Sequence, residues 1–231
     1  MDCNGNNNIK RILKEDNMVT IKTATAEDAW KMIVKQVMKN GIQLEDERDS
    51  VTKELLNVVV IVEEPSISKP PEGYFWTGEK LKRYKKQFLD PDGQGFAYTY
   101  GNRLREHFGF KVGKNIYRVK TDQIEAVIKR LRENKTTRRA TMTAFDPSID
   151  HYQDEIPCMI LVDFKIRKNK LYTTALWRSQ DIYGAWIPNF FGLSGLADHV
   201  AGAVKVTLGP ITIHSISAHI YENNFKDASK F

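Results

Sequence analysis

The stretch IPCMILVDFKIRKNKLYTTALWRSQDIYGAWIPN, Ile156 to Asn189, decides the fold. Apolar residues alternate after Cys158, the period of a half-buried strand. Lys168 and Asn169 sit in a Lys/Asn-rich turn, and a second strand-like run follows to Trp177. Strands joined by a tight turn lie side by side. Cys158, at the start of the first, is therefore set beside Arg178, Ser179 and Asp181 at the end of the second. Asn189 stands at the mouth of an apolar helix. A thiol, a guanidinium, a hydroxyl, a carboxylate and an amide at one end of paired strands exceed what a structural hairpin needs.

Working outward, Phe190 to Val206 reads as a Gly/Ala-rich apolar helix and Ile211 to Tyr221 as a final strand. Upstream, Thr25 caps a helix with acids in its first turn and Trp30, Ile33, Val34, Val37 and Met38 on one face; Gly41 ends it. Glu45 to Asp49 is a charged loop, and Leu55 to Val62 is a buried strand stopped by Pro65. Leu81, Tyr84 and Phe88 place a helix within Trp76 to Leu89. In Tyr100-Gly101-Asn102-Arg103-Leu104 the glycine signals a close backbone approach or a bend. Thr121 is expected to cap a helix with Ile124, Val127, Ile128 and Leu131 inside, followed by a short strand, Ala140 to Ala144. Strands and helices mix without regular βαβ alternation. The fold class is α+β, a single domain with a large mixed or antiparallel sheet flanked by helices.

The 231 residues hold 35 basic and 29 acidic side chains, a net charge of +6. That mild excess favours anionic ligands. No long basic block or RNA-binding motif is present, so nucleic acid is not expected as a partner. The two cysteines, Cys3 and Cys158, make no disulfide framework, and no apolar run reaches the roughly 20 residues of a membrane span. The chain reads as intracellular and cytoplasmic, with residues 1–17 poorly ordered and 18–231 forming the domain.

Cys158 alone could be a buried small hydrophobe. Beside Arg178 it gains a neighbour that favours the thiolate. It lacks the companions of a cysteine protease or a metal site, so no metal is expected. Arg138-Arg139, with Arg48, Arg178 and Ser179, could grip a phosphate. The Asn189 amide could read a uracil edge or cap the helix. His219 and Tyr221 share one face of a strand.

Taken together, these residues resemble the thymidylate synthase family. The pieces are TDQIEAVIKRL, TTRRATMTAF, Pro157-Cys158, Arg178 to Asp181, Asn189, Ala218 to Tyr221, and YGNRLREHF at Tyr100 to Phe108. The spacings match too: 19 residues from Arg139 to Cys158, 20 on to Arg178, and 30 from Asn189 to His219. The resemblance implies that Cys158 adds to carbon 6 of a pyrimidine and makes carbon 5 nucleophilic. It implies that Arg48, Arg178 and Ser179 hold the 5′-phosphate of dUMP, with Arg138 and Arg139 reaching across a homodimer. Asn189 would read the uracil edge, Asp181 orient base and pterin, His219 and Tyr221 bind the ribose, and Tyr100 lie near proton abstraction. The co-substrate would be methylene-tetrahydrofolate or methylene-tetrahydromethanopterin.

There are departures. The family's Glu-Leu-Leu-Trp-Phe-Leu segment is replaced by PPEGYFWTGEKLKRYKKQFL, so Glu79, or else Glu72, would supply the proton-handling carboxylate. Met159 stands where histidine is usual and Trp177 where glutamine is usual. The chain stops ten residues after Tyr221, without the family's long C-terminal tail, as in a short archaeal branch associated with methanopterin carriers. The expected activity is methylation of dUMP to dTMP. The alternatives are a 5-hydroxymethylase of (d)UMP or (d)CMP in the same superfamily, and a non-catalytic nucleotide-binding protein.

Overall fold

Strand β1 (Thr20–Thr23) opens the described chain, and helix α1 (Ala26–Asn40) follows it. Thr25 caps α1 by accepting from the Asp28 amide, and Gly41 closes it. The expected face is buried: Trp30, Ile33, Val34 and Val37 are all at most 1% exposed. Each such side chain contributes about 1.5–3 kcal/mol by leaving water. Trp30 also donates its indole N–H to the Ile182 carbonyl at 3.0 Å. The computed structural model describes residues 18–93, 95–112, 115–118 and 121–231. The N-terminal segment read as poorly ordered, with Cys3, lies outside them.

The sheet is built from β2 (Ile42–Glu45), β3 (Val51–Val62), β6 (Thr141–Thr143), β7 (Met159–Arg167), β8 (Lys170–Asp181) and β9 (Thr207–Tyr221), together with β1. Its order is β1-β3-β9-β8-β7-β6, with β2 also pairing β3, seven strands in all. The β1–β3 and β8–β9 pairs are parallel and the others antiparallel, so the sheet is mixed. A separate hairpin joins β4 (Gly109–Val112) and β5 (Asn115–Arg118). The helices are α2 (Gly78–Gln87), α3 (Tyr100–Arg105), α4 (Gln123–Glu133), α5 (Trp186–Val204) and the short α6 (Phe225–Ala228). Helix α1 packs on β3 and β1, α5 on β8 and β9, and α2 on α5. This is a single-domain α+β architecture.

The β7–β8 hairpin turns through Lys168 (φ 48°) and Asn169 (φ 57°). Two positive-φ residues make the primed turn whose twist suits paired strands. A bulge between Met159 and Leu161 shifts the register of β7 against β8. Bulges beside active sites re-aim side chains. Here burial along β7 skips from Met159 to Val162, three residues instead of two. Met159 and Trp177 are cross-strand partners, and both are fully buried. The two departures from the family pattern thus form one core pair.

Four expectations are corrected. Helix α5 starts at Trp186, four residues before the expected Phe190, with Ala185 at its start offering no side-chain cap. Asn189 is therefore inside the first turns and is not an N-cap. Asp122, not Thr121, caps α4, its side chain accepting from the Glu125 amide. Strand β3 starts at Val51 because the unforeseen β2 pairs with it. Strand β9 starts at Thr207, before Gly209-Pro210, where its register with β8 shifts; a bulge is where a strand tolerates proline.

Candidate active site

Strands β3, β7, β8 and β9 bring the chemistry-bearing residues to one end of the sheet. The β7–β8 register sets Cys158 opposite Arg178, whose amide donates to the Cys158 carbonyl at 2.8 Å. The parallel β8–β9 register sets Asp181 beside His219, and the antiparallel β3–β9 register sets Glu54 on the other side of His219. Together with the β2–β3 turn and helices α2, α3 and α5, these strands wall a cavity of about 510 Å³. Cys158, Arg178, Ser179, Asp181, Asn189, His219, Tyr221, Tyr100 and Arg48 all line it.

Cys158 is half-buried, and an Arg178 Nη2 lies 3.9 Å from its sulfur. Arg178 is held by the carbonyls of Pro157 and Ile156, both at 3.1 Å. Its guanidinium is thus fixed before any ligand arrives. The Cys158 amide donates to the Tyr98 hydroxyl at 3.4 Å and the Met159 amide to the Tyr100 hydroxyl at 3.1 Å. Burial pushes the Tyr98 phenol up to about 12 and Tyr100 well above its ordinary value. Both remain protonated at neutral pH.

Asp181 is a half-buried carboxylate of the cavity. Its Oδ1 accepts from the amides of Tyr183 (3.1 Å) and Gly184 (2.9 Å). A Cβ at Gly184 would overlap Asp181 Oδ2, so a larger residue there would displace the Asp181 carboxylate. Burial raises the Asp181 carboxyl, and its two amide bonds and His219 offset only part of that. Burial likewise lowers His219, against the pull of Asp181, Glu54 and Asp46. His219 Nδ1 is 3.4 Å from Ser179 Oγ, and its ring meets Tyr221 edge-on at 5.0 Å.

Arg48 rides on the β2–β3 turn. Asp46 Oδ1 accepts the amides of Arg48 and Ser50, both at 2.9 Å, which shapes the turn. The Arg48 guanidinium is exposed and reaches Glu155 at 3.0 Å. Arg138 and Arg139 are exposed on the loop before β6 and do not line the cavity. Neither does Glu79 or Glu72. Glu79 opens α2 with its side chain 84% exposed, paired to Lys82 at 2.8 Å. The sequence-based choice for the proton-handling carboxylate therefore sits outside the cavity.

Among the lining residues that the sequence analysis did not assign to the site are Glu54, Tyr84 and Tyr98. Glu54 accepts from Ser217 Oγ, and only the strand register could reveal that it flanks His219. Tyr84 and Tyr98 were hidden among apolar aromatics; the usable signal was that a buried tyrosine needs a partner for its hydroxyl. A second cavity of about 510 Å³ adjoins the first, sharing Tyr84, Tyr98, Tyr100 and Glu155. Trp76, Phe88 and Phe96 give it an aromatic wall, and Lys80 Nζ lies 3.9 Å from the centre of the Trp76 ring.

A thiol held near a guanidinium, with a buried amide and a half-buried carboxylate and imidazole around one cavity, makes a cysteine-centred polar site. The chain belongs to the thymidylate synthase family: that family's model matches residues 49–231. A protein of Methanothermobacter marburgensis named "Putative thymidylate synthase" is 52% identical over 218 residues, covering 88% of this chain and 93% of the relative. Same-named proteins of Methanococcoides burtonii and Methanocaldococcus jannaschii are 42% and 32% identical over 211 and 209 residues. They cover 91% and 88% of this chain, and 93% and 91% of the relatives. The family uses a folate-type one-carbon donor as co-substrate. Among the described residues there is no group of His, Cys, Asp and Glu fit to hold a metal ion, and no helix long and apolar enough to cross a membrane.

Proposed function

We propose that this chain is a thymidylate synthase, converting dUMP to dTMP through a covalent adduct at Cys158. The observation that carries the reading is the Cys158 sulfur at the cavity wall, 3.9 Å from the anchored Arg178 guanidinium, with Asn189 lining the same cavity. The thiolate adds to carbon 6 of the uracil, and the displaced electron pair makes carbon 5 nucleophilic. Carbon 5 bonds to the one-carbon unit as one of that unit's two bonds to carrier nitrogen breaks. The carbon 5 proton passes to a base in the site as the second carbon–nitrogen bond breaks. Hydride from the carrier then adds to the resulting exocyclic methylene as the sulfur–carbon 6 bond breaks, leaving dTMP, free Cys158 and the oxidised carrier. A methylene-tetrahydropterin, of the folate or methanopterin type, supplies the one-carbon unit and the hydride.

Each side chain has a role in this reading. Arg178 and Ser179 hold the phosphate, with Arg48 closing from the β2–β3 turn. Asn189 pairs with the uracil edge, and His219 and Tyr221 take the ribose. Asp181 and Tyr100 orient the base and serve proton movement. Glu54 is the half-buried carboxylate that replaces Glu79 as a candidate for handling protons through water. The adjoining aromatic cavity suits a flat pterin ring. Arg138 and Arg139 complete the phosphate grip of a partner subunit in a homodimer.

The test is Cys158→Ala. Turnover of dUMP is expected to fall by at least ~10⁴-fold, while calorimetric binding of dUMP stays within a few-fold of wild type. Full turnover in that variant contradicts the mechanism.

A further inference from the structure

The Asn189 side chain is 5% exposed and its Oδ1 lies 2.8 Å from the hydroxyl of Tyr84. Tyr84 comes from α2, 105 residues earlier in the chain. Its ring is wedged edge-on between Trp76 (centroids 5.7 Å apart) and Phe88 (5.9 Å). Helix α2 and its C-cap Phe88 pack closely on two glycines of α5. A Cβ at Gly192 would overlap the Phe88 ring, and one at Gly195 would crowd the Lys85 side chain. The Tyr84 hydroxyl is thus held at one point, against one atom of the amide.

We propose that Tyr84 is a positioning residue that fixes the orientation of the Asn189 amide and thereby selects a uracil over a cytosine base. This rests on the reading that Asn189 contacts the base. Uracil presents a carbonyl acceptor beside an N–H donor. An amide pairs with it by donating from Nδ2 and accepting at Oδ1. Cytosine presents an amino donor beside a ring-nitrogen acceptor, and pairs only with the amide turned over.

The Tyr84 hydroxyl distinguishes the two orientations. As found, it donates to Oδ1, which keeps a second lone pair for the uracil N–H. Burial raises the Tyr84 phenol, so its hydrogen is always present at working pH. With the amide turned over, the hydroxyl would face the donor Nδ2. It would have to accept and direct its own hydrogen elsewhere. Among the described residues, Asn189 Oδ1 is the acceptor it has. A cytosine base therefore costs a hydrogen bond that a uracil base retains.

The position of Tyr84 adds a second consequence. It lines both cavities, so the same side chain that sets the amide also meets whatever occupies the aromatic cavity.

The experiment measures dUMP and dCMP binding by calorimetry on the full chain in four forms: wild type, Tyr84→Phe, Asn189→Ala and the double variant. Tyr84→Phe removes one oxygen and keeps the ring packing, so its melting temperature should stay close to wild type. The dUMP-to-dCMP affinity ratio is expected to fall about tenfold in Tyr84→Phe. In the Asn189→Ala background the same substitution should leave the ratio unchanged, which a merely structural role would not predict. An unchanged ratio in Tyr84→Phe, or an equal change in both backgrounds, overturns the role of Tyr84 alone. A wild-type protein that does not prefer dUMP overturns base reading by Asn189, and this inference with it.

Discussion

Asp181 is held in the cavity at an electrostatic cost. Burial raises its pKa above that of a free carboxylate, so the folded chain binds this proton more tightly than the unfolded one. The stability tied to it is full below about pH 3.9 and is lost as pH rises through the folded pKa. Asp181→Asn keeps an Oδ1 to accept from Tyr183 and Gly184 while removing the charge. It should raise stability at pH 7 by about 0.5–2 kcal/mol, read by denaturant unfolding, and leave stability at pH 4 nearly unchanged. Turnover should fall by at least tenfold, the usual trade between a strained site and its function. Residues of this kind were legible in the sequence where they cluster locally, as Cys158, Arg178, Ser179 and Asp181 do across one hairpin. Tyr84 and Glu54 were not, because their partners Asn189 and His219 lie far along the chain and meet them only through helix packing or strand register.

At the scale of elements, helix α1 was readable because its cap, its apolar face and its terminal glycine agree. Helix α5 lost four residues in the reading because it begins without a capping side chain, while Asn189, a residue type that favours caps, stands directly before the expected start at Phe190. The four-residue strands β1 and β2 are too short to show a period and exist by pairing with β3. The α2–α5 contact is the element pair on which the site depends most. Gly192→Ala puts a methyl group into the Phe88 ring. It should cost about 1–3 kcal/mol of unfolding free energy. Because Phe88 caps the helix that carries Tyr84 and its ring packs on Tyr84, the same variant should weaken the preference for dUMP over dCMP. An undiminished preference at reduced stability would separate the packing from the site.

For the whole molecule, a mixed sheet holds one end open to a cavity while two arginines stand outside it. Arg138 and Arg139 are proposed to act on the partner's phosphate, which makes each site a product of two chains. Mixing Cys158→Ala protomers with protomers carrying both Arg138→Ala and Arg139→Ala tests this. Each variant alone should be nearly inactive, and random reassembly should restore about a quarter of wild-type turnover. No recovery in reassembled dimers, with each variant inactive alone, would contradict arginines acting across the interface, and full activity of the double-arginine variant alone would place both arginines outside the site. The central claim concerns the group delivered to carbon 5, and product analysis tests it most directly. The full chain is incubated with dUMP and a methylene-tetrahydropterin, and the nucleotide is identified by mass. The account predicts the 5-methyl product, formed with oxidation of the carrier. A 5-hydroxymethyl product, or unchanged dUMP, would contradict it.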